Sequence, residues 1–242
     1  MNGPPESTWA ALPLGRGVAL LVHDANGVAA LAKPAGILSH PNAAGEESRA
    51  LLNAAYRIDG EFYQWAAHRL WLLNRLDSAT SGVILVAADA ALAETVRAQF
   101  KRKQVGKVYH ALVFGTPKKA AELWQDRVAV QKRGERIRTV GGNIPAESRM
   151  SVVRSGRPVS LLRLEPQTGR SHQLRVQCAS RGLPIVGDQT YGNFRLNREF
   201  ARTTGIKRMF LHSLETSFEY EFEGKSFRFS AKAPLPAEFN TI

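Results

Sequence analysis

Two short stretches of this sequence combine residue types that can do chemistry. The first, residues 74–82 (NRLDSATSG), places Asp77 between an arginine and small hydroxyl residues. The second, residues 169–177 (GRSHQLRVQ), contains Arg175 within a basic, polar run. A carboxylate acting as nucleophile or base at a sugar carbon is one of the few kinds of catalysis that need no cofactor. Asp77 is the candidate for that role.

Arg175 could supply the counter-charge. A helix beginning at Ser171 would place Arg175 beside its first turn, where backbone N–H groups and the helix dipole favour an anion. A phosphate and the carboxylate of Asp77 both fit this place. An Asp77–Arg175 pair would keep the acid charged and aim one oxygen at a substrate. Both residues could also be structural, with Asp77 accepting backbone hydrogen bonds where a strand begins and the ion pair serving as scaffolding.

Composition excludes several other chemistries. The chain has 242 residues, of which 44% are hydrophobic and 22% charged, as in an ordinary globular protein. Its single cysteine, Cys178, excludes an internal disulfide, and its six His form no close group with Cys or Asp. No apolar run reaches the roughly 20 residues of a membrane span, and residues 1–13 lack a signal-peptide pattern. We therefore predict a cytoplasmic protein with no metal, no cofactor and no membrane partner.

The positive charge is concentrated in one part of the chain. Residues 97–208 contain 24 Lys or Arg against 7 Asp or Glu, whereas the remaining residues contain 9 against 14. Such a tract predicts a polyanionic partner, above all nucleic acid; a cationic face that only favours solubility is the alternative. A nucleotide within a folded strand must flip out to reach a carboxylate. Tyr109 offers an aromatic face for the flipped base, unless it packs in the core.

The elements around Asp77 are readable from the pattern. Its polar loop leads into the apolar run 83–87, which is typical of a buried strand. Asp89 then has the character of a helix N-cap, and apolar residues at every fourth position predict a helix as far as about Lys103. Loops held by such a rigid scaffold are where catalytic residues tend to lie.

Tyr109 and Arg175 belong to the more basic part of the chain. Tyr109 lies at the centre of a strand predicted over residues 107–115, and Arg175 lies on a helix predicted over residues 171–181. Residues 118–150 are the least regular segment, for which we predict short strands and basic loops.

The remaining segments complete the predicted architecture. A tail with little structure of its own is expected over residues 1–17, a hairpin over 18–32, a helix over 48–56 and a closing antiparallel hairpin within 209–230. Lys33 precedes a Pro-x-Gly turn. Strands dominate without a steady alternation with helices, which predicts the α+β class with a mixed, largely antiparallel sheet.

Six blocks of the sequence carry a family resemblance. They are Lys33-Pro34-x-Gly36; Arg75-Leu76-Asp77-x-x-Thr80-Ser81-Gly82; Lys107-x-Tyr109-x-Ala111-Leu112-Val113-x-Gly115; Gly169-Arg170-Ser171-His172-Gln173-Leu174-Arg175; Pro184-x-x-Gly187-Asp188-x-x-Tyr191-Gly192; and Leu211-His212-Ser213 with Ala233-Pro234-x-Pro236. In type and order they resemble the motifs of the RluA-type RNA pseudouridine synthases. The resemblance covers most of the chain from about residue 18 to the end.

The resemblance implies a role for each matched residue. Asp77 matches the catalytic aspartate, which attacks the nucleotide so that uracil is detached, turned and rejoined through carbon. Tyr109 matches the tyrosine that stacks on the target base, and Arg175 matches the basic residue paired with the aspartate. Arg75 matches the arginine that occupies the gap left by the flipped base. Leu174 matches an apolar residue that packs against the ring.

Further RNA contacts and the fold follow from the same resemblance. Lys33, Arg170 and His172 are expected to bind RNA. Asn74 stands where many relatives have His. The family fold is an α+β domain whose mixed central sheet, flanked by helices, is split by an active-site cleft. We expect residues 18–242 to form one such catalytic domain, without a separate N-terminal RNA-binding domain.

The predicted activity is isomerisation of specific uridines in ribosomal or transfer RNA to pseudouridine. RNA is the expected partner of a monomer that needs no other protein. One alternative is a catalytically inactive RNA-binding or RNA-chaperone protein on the same fold. Another is a nucleoside-cleaving hydrolase that releases free uracil.

Overall fold

The computed structural model describes residues 4–133 and 136–240, without the side chains of residues 130–140. Of the basic loops predicted within residues 118–150, the stretch from Lys132 to Arg138 therefore lies outside the described side chains. The strands are β1 Ala19–His23, β2 Val28–Lys33, β3 Ala55–Arg57, β4 Phe62–Trp65, β5 His68–Leu72, β6 Ser81–Ala87, β7 Gly106–Phe114, β8 Ala121–Arg133, β9 Arg136–Gly141, β10 Ile144–Arg154, β11 Val159–Pro166, β12 Leu211–Phe222 and β13 Lys225–Lys232. The α-helices are α1 Glu6–Ala10, α2 Ala90–Lys101, α3 Gln173–Ser180 and α4 Phe194–Thr204.

Backbone contacts divide the chain into two compact units. The first comprises Met1–Gly106 and Ser213–Pro234, and the second comprises Lys107–His212 and Leu235–Ile242. Asp77 belongs to the first unit, whereas Tyr109 and Arg175 belong to the second. The prediction of one catalytic domain over residues 18–242 stays a prediction.

The first unit is built on strand β6. Strands β3, β4, β5, β6 and β12 follow one another in its sheet, while β2 pairs with β6, β1 with β2, and β13 with β12. The β1/β2, β2/β6, β3/β4, β4/β5, β5/β6 and β12/β13 ladders are antiparallel. In the β2/β6 register Lys33 lies opposite Gly82, so the end of β2 meets the residues that follow Asp77.

The core of the first unit explains the apolar run after Asp77. All seven residues of β6 are buried. Helix α2 packs Leu92, Ala93 and Val96 into the same apolar cluster, with Asp89 accepting a hydrogen bond from Leu92 N at 2.9 Å as N-cap. Because β6 is buried along its whole length, the loop that carries Asp77 is anchored where it joins the strand at Ser81.

The second unit contains an antiparallel sheet with strand order β7, β11, β10, β8 and β9. Tyr109 on β7 pairs with Leu164 on β11. An apolar cluster that includes Leu112 and Phe210 packs against Phe200 of α4. Helix α3, which carries Arg175, is joined to β10 by side-chain hydrogen bonds described below.

The predicted α+β class with a largely antiparallel sheet is confirmed, and several elements match closely. The hairpin over residues 18–32 is β1/β2, and the helix capped by Asp89 is α2. The expected strand at 107–115 is β7. The predicted cleft in the sheet stays a prediction.

The helix predicted over residues 48–56 is wrong. The structure has a short 3-10 turn at Glu47–Arg49 and then irregular chain as far as β3. Residues 50–52 are all fully buried, which one face of a helix cannot achieve. Gly15 N donates to Leu51 O at 2.9 Å, so contacts distant in sequence replace the helical hydrogen bonds.

Other differences arise where the local pattern was weak. Within the segment where short strands were predicted, β8 and β10 are long strands, Ala121–Arg133 and Ile144–Arg154. The hairpin β4/β5 and helix α4 were not predicted. Little structure was expected before residue 18, and this is wrong for α1, whose Trp9 is 2% exposed and stacks on His23 at 5.1 Å. An aromatic side chain that finds a cavity can order a short segment of low intrinsic propensity.

Candidate active site

Asp77 is the first residue of a turn that ends at Thr80, directly before β6. Its carbonyl oxygen accepts a hydrogen bond from Thr80 N at 3.0 Å, which closes the turn. The Asp77 side chain is partly exposed, in contrast to the buried Leu76 and Thr80 on either side. Asp77 is therefore carried by a backbone whose neighbouring residues are anchored in the core.

Lys33 supports this turn from beneath. Its side chain is 1% exposed, and its Nζ donates to the carbonyl oxygens of Ser78 at 3.0 Å, Ile37 at 2.6 Å and Pro34 at 3.1 Å. Gly36 N also donates to Ser78 O, at 2.7 Å. The Lys-Pro-x-Gly block therefore holds the backbone next to Asp77. This geometry favours support of the turn over direct RNA contact for Lys33.

The N-terminal side of the turn is held by two side chains. Ser39 Oγ donates to Leu76 O at 2.8 Å and accepts from Leu76 N at 3.0 Å. Asn74 Oδ1 accepts from Leu85 N at 2.7 Å, which ties the head of the motif to β6. Asn74 thus has a structural partner on the strand that follows its motif.

Gly82 shows why the motif ends in glycine. Its φ of +116° lies in a region that side chains disfavour, and a Cβ there would overlap the carbonyl oxygen of Ser213. The strand that follows Asp77 can therefore approach β12 only without a side chain at this position.

Arg75, two residues before Asp77 in the sequence, is exposed. It lines a groove of about 640 Å³ together with Glu61, Leu72, Leu73, Asn74, Glu94, Arg97, Phe100 and Lys101. Arg97 is partly neutralised there, since it lies 3.4 Å from Glu61 and donates to Leu72 O at 2.7 Å. Arg75 makes no such pair among the described residues, so its guanidinium is available to an anion.

In the second unit, Arg175 forms a bidentate ion pair with Asp188. Arg175 Nε lies 2.7 Å from Asp188 Oδ2, and Nη2 lies 2.8 Å from Oδ1. The two side chains are 8% and 1% exposed. The ring of Tyr191 lies 5.1 Å from the Arg175 guanidinium carbon. The sequence offered Asp77 or a phosphate as the anion for Arg175 and did not single out Asp188, although Asp188 is part of a matched block.

Asp188 is kept ionised by its surroundings. Burial alone would raise the pKa of its carboxyl group, but hydrogen bonds from Arg175, the charge of Arg175, and the N–H groups of Tyr191 and Thr190 together hold that pKa below its ordinary value. The pair therefore stays charged at neutral pH and fixes the orientation of the guanidinium.

Helix α3 begins later than the sequence indicated. His172 is the N-cap, with a left-handed φ of 54°, so the helix starts at Gln173 and Ser171 lies outside it. The helix predicted over residues 171–181 therefore begins two residues later than expected. His172 Nδ1 lies 2.9 Å from Tyr191 Oη, which links the cap to the loop that carries Asp188.

A buried polar network fixes α3 against the sheet. Gln173 Oε1 accepts from Thr168 Oγ1 at 2.6 Å, and its Nε2 donates to Ser148 Oγ and Glu147 O, both at 2.9 Å. Ser148 Oγ donates to Gln177 Oε1 at 2.7 Å. Networks in which each member is satisfied give a site rigidity, here for the helix of Arg175.

The other predicted residues of the second unit surround this helix. Leu174 is 6% exposed, Tyr109 is half-buried on β7, and Arg170 is exposed with its Nε donating to Pro145 O at 3.2 Å. The structure thus brings Arg170, His172, Leu174 and Arg175 together at one end of α3. Asp77, Arg75 and Lys33 are gathered in the first unit.

In the described parts of the chain, no three His, Cys, Asp or Glu residues converge as metal ligands would. Burial raises the pKa of the Cys178 thiol, which makes it a poor nucleophile. Among the same residues, no helix is long and apolar enough to cross a membrane.

Comparison with solved structures defines the class of fold. The human RNA Pseudouridylate Synthase Domain Containing 1 superposes with a TM-score of 0.68 and 23% identity, covering 93% of this chain and 87% of that one. Human RNA Pseudouridylate Synthase Domain Containing 4 gives a TM-score of 0.67 and 22% identity, covering 91% and 90%. At this identity the likeness establishes the pseudouridine synthase fold.

Sequence comparison gives the family. The family model described as RNA pseudouridylate synthase matches residues 27–180, so the chain belongs to this family. It is 34% identical over 176 residues to ribosomal large subunit pseudouridine synthase C of Escherichia coli (strain K12), covering 68% of this chain and 53% of that protein. For its Vibrio parahaemolyticus counterpart the identity is 32% over 154 residues, covering 64% and 49%. The chain therefore spans about half the length of these relatives.

Proposed function

We propose that this protein isomerises uridine to pseudouridine in RNA, with Asp77 as the nucleophile. The observation that carries the proposal is the Asp77 turn: a partly exposed aspartate on a backbone held by Lys33, Ser39 and Asn74. A nucleophile positioned by buried hydrogen bonds loses little conformational freedom when the substrate binds. The matched family region, residues 27–180, includes Asp77, Tyr109 and Arg175.

The reaction balances without an oxidant or reductant. The bond between N1 of uracil and C1′ of the ribose breaks, and a bond between C5 and C1′ forms. C5 releases its proton to solvent and N1 takes one up, so the composition of the RNA is unchanged. The carboxylate of Asp77 holds the nucleotide covalently while the base turns, either through the sugar or through the ring.

Arg175 and Tyr109 have distinct proposed roles. Arg175 is the proposed basic partner of the catalytic aspartate, and its bidentate pairing with Asp188 fixes the direction of its guanidinium before RNA binds. Tyr109, half-buried on a central strand, presents an aromatic face to the flipped uracil. Arg75, exposed two residues before Asp77, fills the space that the base leaves in the RNA.

Ribosomal RNA is the proposed substrate. Curated relatives from several bacteria are named for the ribosomal large subunit. The excess of Lys and Arg over residues 97–208 suits a large, structured RNA. Pseudouridines are mapped in total RNA from a strain that lacks this protein. The missing modification then shows whether the substrate is ribosomal RNA or transfer RNA.

Tritium release from RNA labelled at C5 of uridine tests the activity. We expect release by the wild type and none above background by Asp77→Asn, because the amide cannot act as a nucleophile. Asp59→Asn is the matched control, since Asp59 is an exposed aspartate of the same unit, and it should release tritium at the wild-type rate. Equal release by wild type and Asp77→Asn would remove Asp77 from the mechanism.

Product analysis separates the remaining alternatives. Chromatography of the digested RNA should show pseudouridine and no free uracil, whereas a hydrolase would release uracil. Binding of RNA by the wild type without tritium release from any ribosomal or transfer RNA would instead identify an inactive RNA-binding protein.

A further inference from the structure

Helix α4, Phe194–Thr204, has two chemically different faces. Its inner face carries Phe200, 7% exposed, which contacts the rings of Phe114 and Phe210 at 6.1 and 5.5 Å. Its outer face carries exposed Arg195, Arg198 and Arg202, together with Phe194, which is half exposed.

These outer residues form one surface, which we call the arginine face and define as Phe194, Arg195, Arg198 and Arg202. At about 3.6 residues per turn the four side chains fall within an arc of roughly 100°, and from first to last they span about 12 Å along the helix. The only acid of the helix is Glu199, which is also exposed. The helix thus presents three cations and one aromatic ring in a single direction.

The arginine face is unpaired within the described part of the chain. None of its three guanidinium groups forms an ion pair there, whereas Arg163, Arg175 and Arg181 of the same unit each pair with an acid at 2.7 to 3.0 Å. Three neighbouring cations repel one another, and a bound anion would relieve that repulsion. A polyanion is the complementary partner.

Helix α4 is also fixed to the loop that orients Arg175. Asn197, 8% exposed, accepts a hydrogen bond from Gly187 N at 2.8 Å and donates one to Asp188 O at 2.9 Å. Asn193 caps the helix by accepting from Leu196 N at 3.0 Å. Whatever binds the arginine face is therefore held at a set position relative to Arg175.

We propose that the arginine face binds the phosphate backbone of the RNA substrate, with Phe194 stacking on a base at its edge, and so anchors RNA relative to Arg175. The inference rests on the proposed function and names a contact surface for it. A membrane would need an apolar face, but the apolar face of α4 is buried against the core. Phosphates with an adjacent exposed base match three arginines beside one aromatic ring.

The test compares two variants that lose the same charge. The first is Arg195→Gln/Arg198→Gln/Arg202→Gln, which keeps helix propensity nearly unchanged. The control is Arg57→Gln/Lys225→Gln/Lys232→Gln, which alters three exposed cations of the first unit. Affinity for a fluorescein-labelled, uridine-containing single-stranded RNA is measured by anisotropy over a series of KCl concentrations, after circular dichroism has shown that both variants are folded.

We expect the slope of log affinity against log salt to become less steep by about 2 in the first variant, since each contact to a single strand contributes about 0.7. Its affinity at 0.1 M salt should fall roughly 10- to 100-fold on the same basis, and Phe194→Ala should weaken binding without changing the slope. The control should keep the wild-type slope. Equal slopes in all three proteins, or equal losses in both triple variants, would overturn the proposal.

Tritium release separates this inference from the proposed function. If the wild type binds RNA and releases no tritium, yet the slope changes only in the first variant, the isomerase assignment fails and the arginine face stands as an RNA-binding surface. If the wild type is active and the slope is unchanged in the first variant, the arginine face is refuted and the isomerase stands. Binding to phosphatidylserine vesicles that the first variant alone loses, with RNA affinity intact, would also refute it.

Discussion

Arg175 and Asp188 form a buried bidentate ion pair, with Nε 2.7 Å from Oδ2 and Nη2 2.8 Å from Oδ1. Asp188 Oδ1 also accepts from Thr190 N and Tyr191 N at 2.8 and 3.0 Å. The carboxylate of Asp188 therefore holds its own loop in place and fixes the orientation of the Arg175 guanidinium.

Removal of this carboxylate should be costly. Asp188→Ala leaves Arg175 without its bidentate acceptor and is expected to lower the free energy of unfolding by about 3–5 kcal/mol, as measured in urea. Asp59→Ala, at an exposed site, should change it by less than about 0.5 kcal/mol. Similar losses in both variants would show that the pair contributes nothing specific.

Lys107 should make stability depend on pH above neutrality. Burial lowers its pKa to about 8 in the folded protein, whereas an unfolded lysine titrates near about 10.4. Between these two pKa values the unfolded state binds more protons than the folded state, so the free energy of unfolding rises with pH. This gain in stability is lost as pH falls through about 8. Lys107→Met should abolish this rise of the free energy of unfolding with pH. Parallel profiles for the two proteins from pH 7 to 10.5, measured by urea unfolding, would contradict this.

Lys33 should act as a positioning residue. Lys33→Met removes the donor to three backbone carbonyl groups, and displacement of the Asp77 turn is expected to lower kcat by about 100-fold. RNA affinity and its salt dependence should stay at the wild-type values, as they should in the exposed control Lys232→Met. A slope less steep by about 0.7 in Lys33→Met would instead indicate a direct phosphate contact.

Asn74 should be replaceable only by another acceptor. Asn74→Ala leaves Leu85 N, a group on a fully buried strand, without its acceptor, and a loss of about 1–3 kcal/mol in the free energy of unfolding is expected. Asn74→His retains an acceptor nitrogen and should recover most of that loss and of kcat. Equal stability of the two variants would exclude this role.

Gly82 should tolerate no side chain. Gly82→Ala combines a φ of +116° with overlap of Ser213 O, and a loss of at least about 3 kcal/mol is expected. Gly224→Ala is the matched control, because its φ is +73° and no atom lies within 4 Å of the added Cβ; it should cost about 1 kcal/mol. Thermal unfolding of the two variants, read by circular dichroism, distinguishes these outcomes.

The predictable elements are those specified by neighbouring residues. Asp89 and the apolar residues at every fourth position define α2, and Asn26-Gly27 defines the first hairpin. Helix α4 carried comparable signals, namely Asn193 as N-cap and Gly205 as C-cap, and could have been predicted. These features depend on hydrogen bonds and packing within a few residues of chain.

The conformation of residues 50–52 could not be predicted from the neighbouring sequence. Their helical composition is overridden by hydrogen bonding to Gly15, where a Cβ would overlap the carbonyl oxygen of Ala50. The gain from burying three consecutive apolar residues exceeds the small differences in helix propensity.

By itself the sequence determined the α+β class, the family and the candidate residues Asp77, Tyr109 and Arg175, because motif spacing and hydrophobic periodicity are local properties. Only the tertiary structure decided that Lys33 is buried beneath the Asp77 turn and that Asp188 receives Arg175. Both depend on desolvation and on hydrogen-bond geometry between segments brought together by folding, which spacing along the chain does not encode.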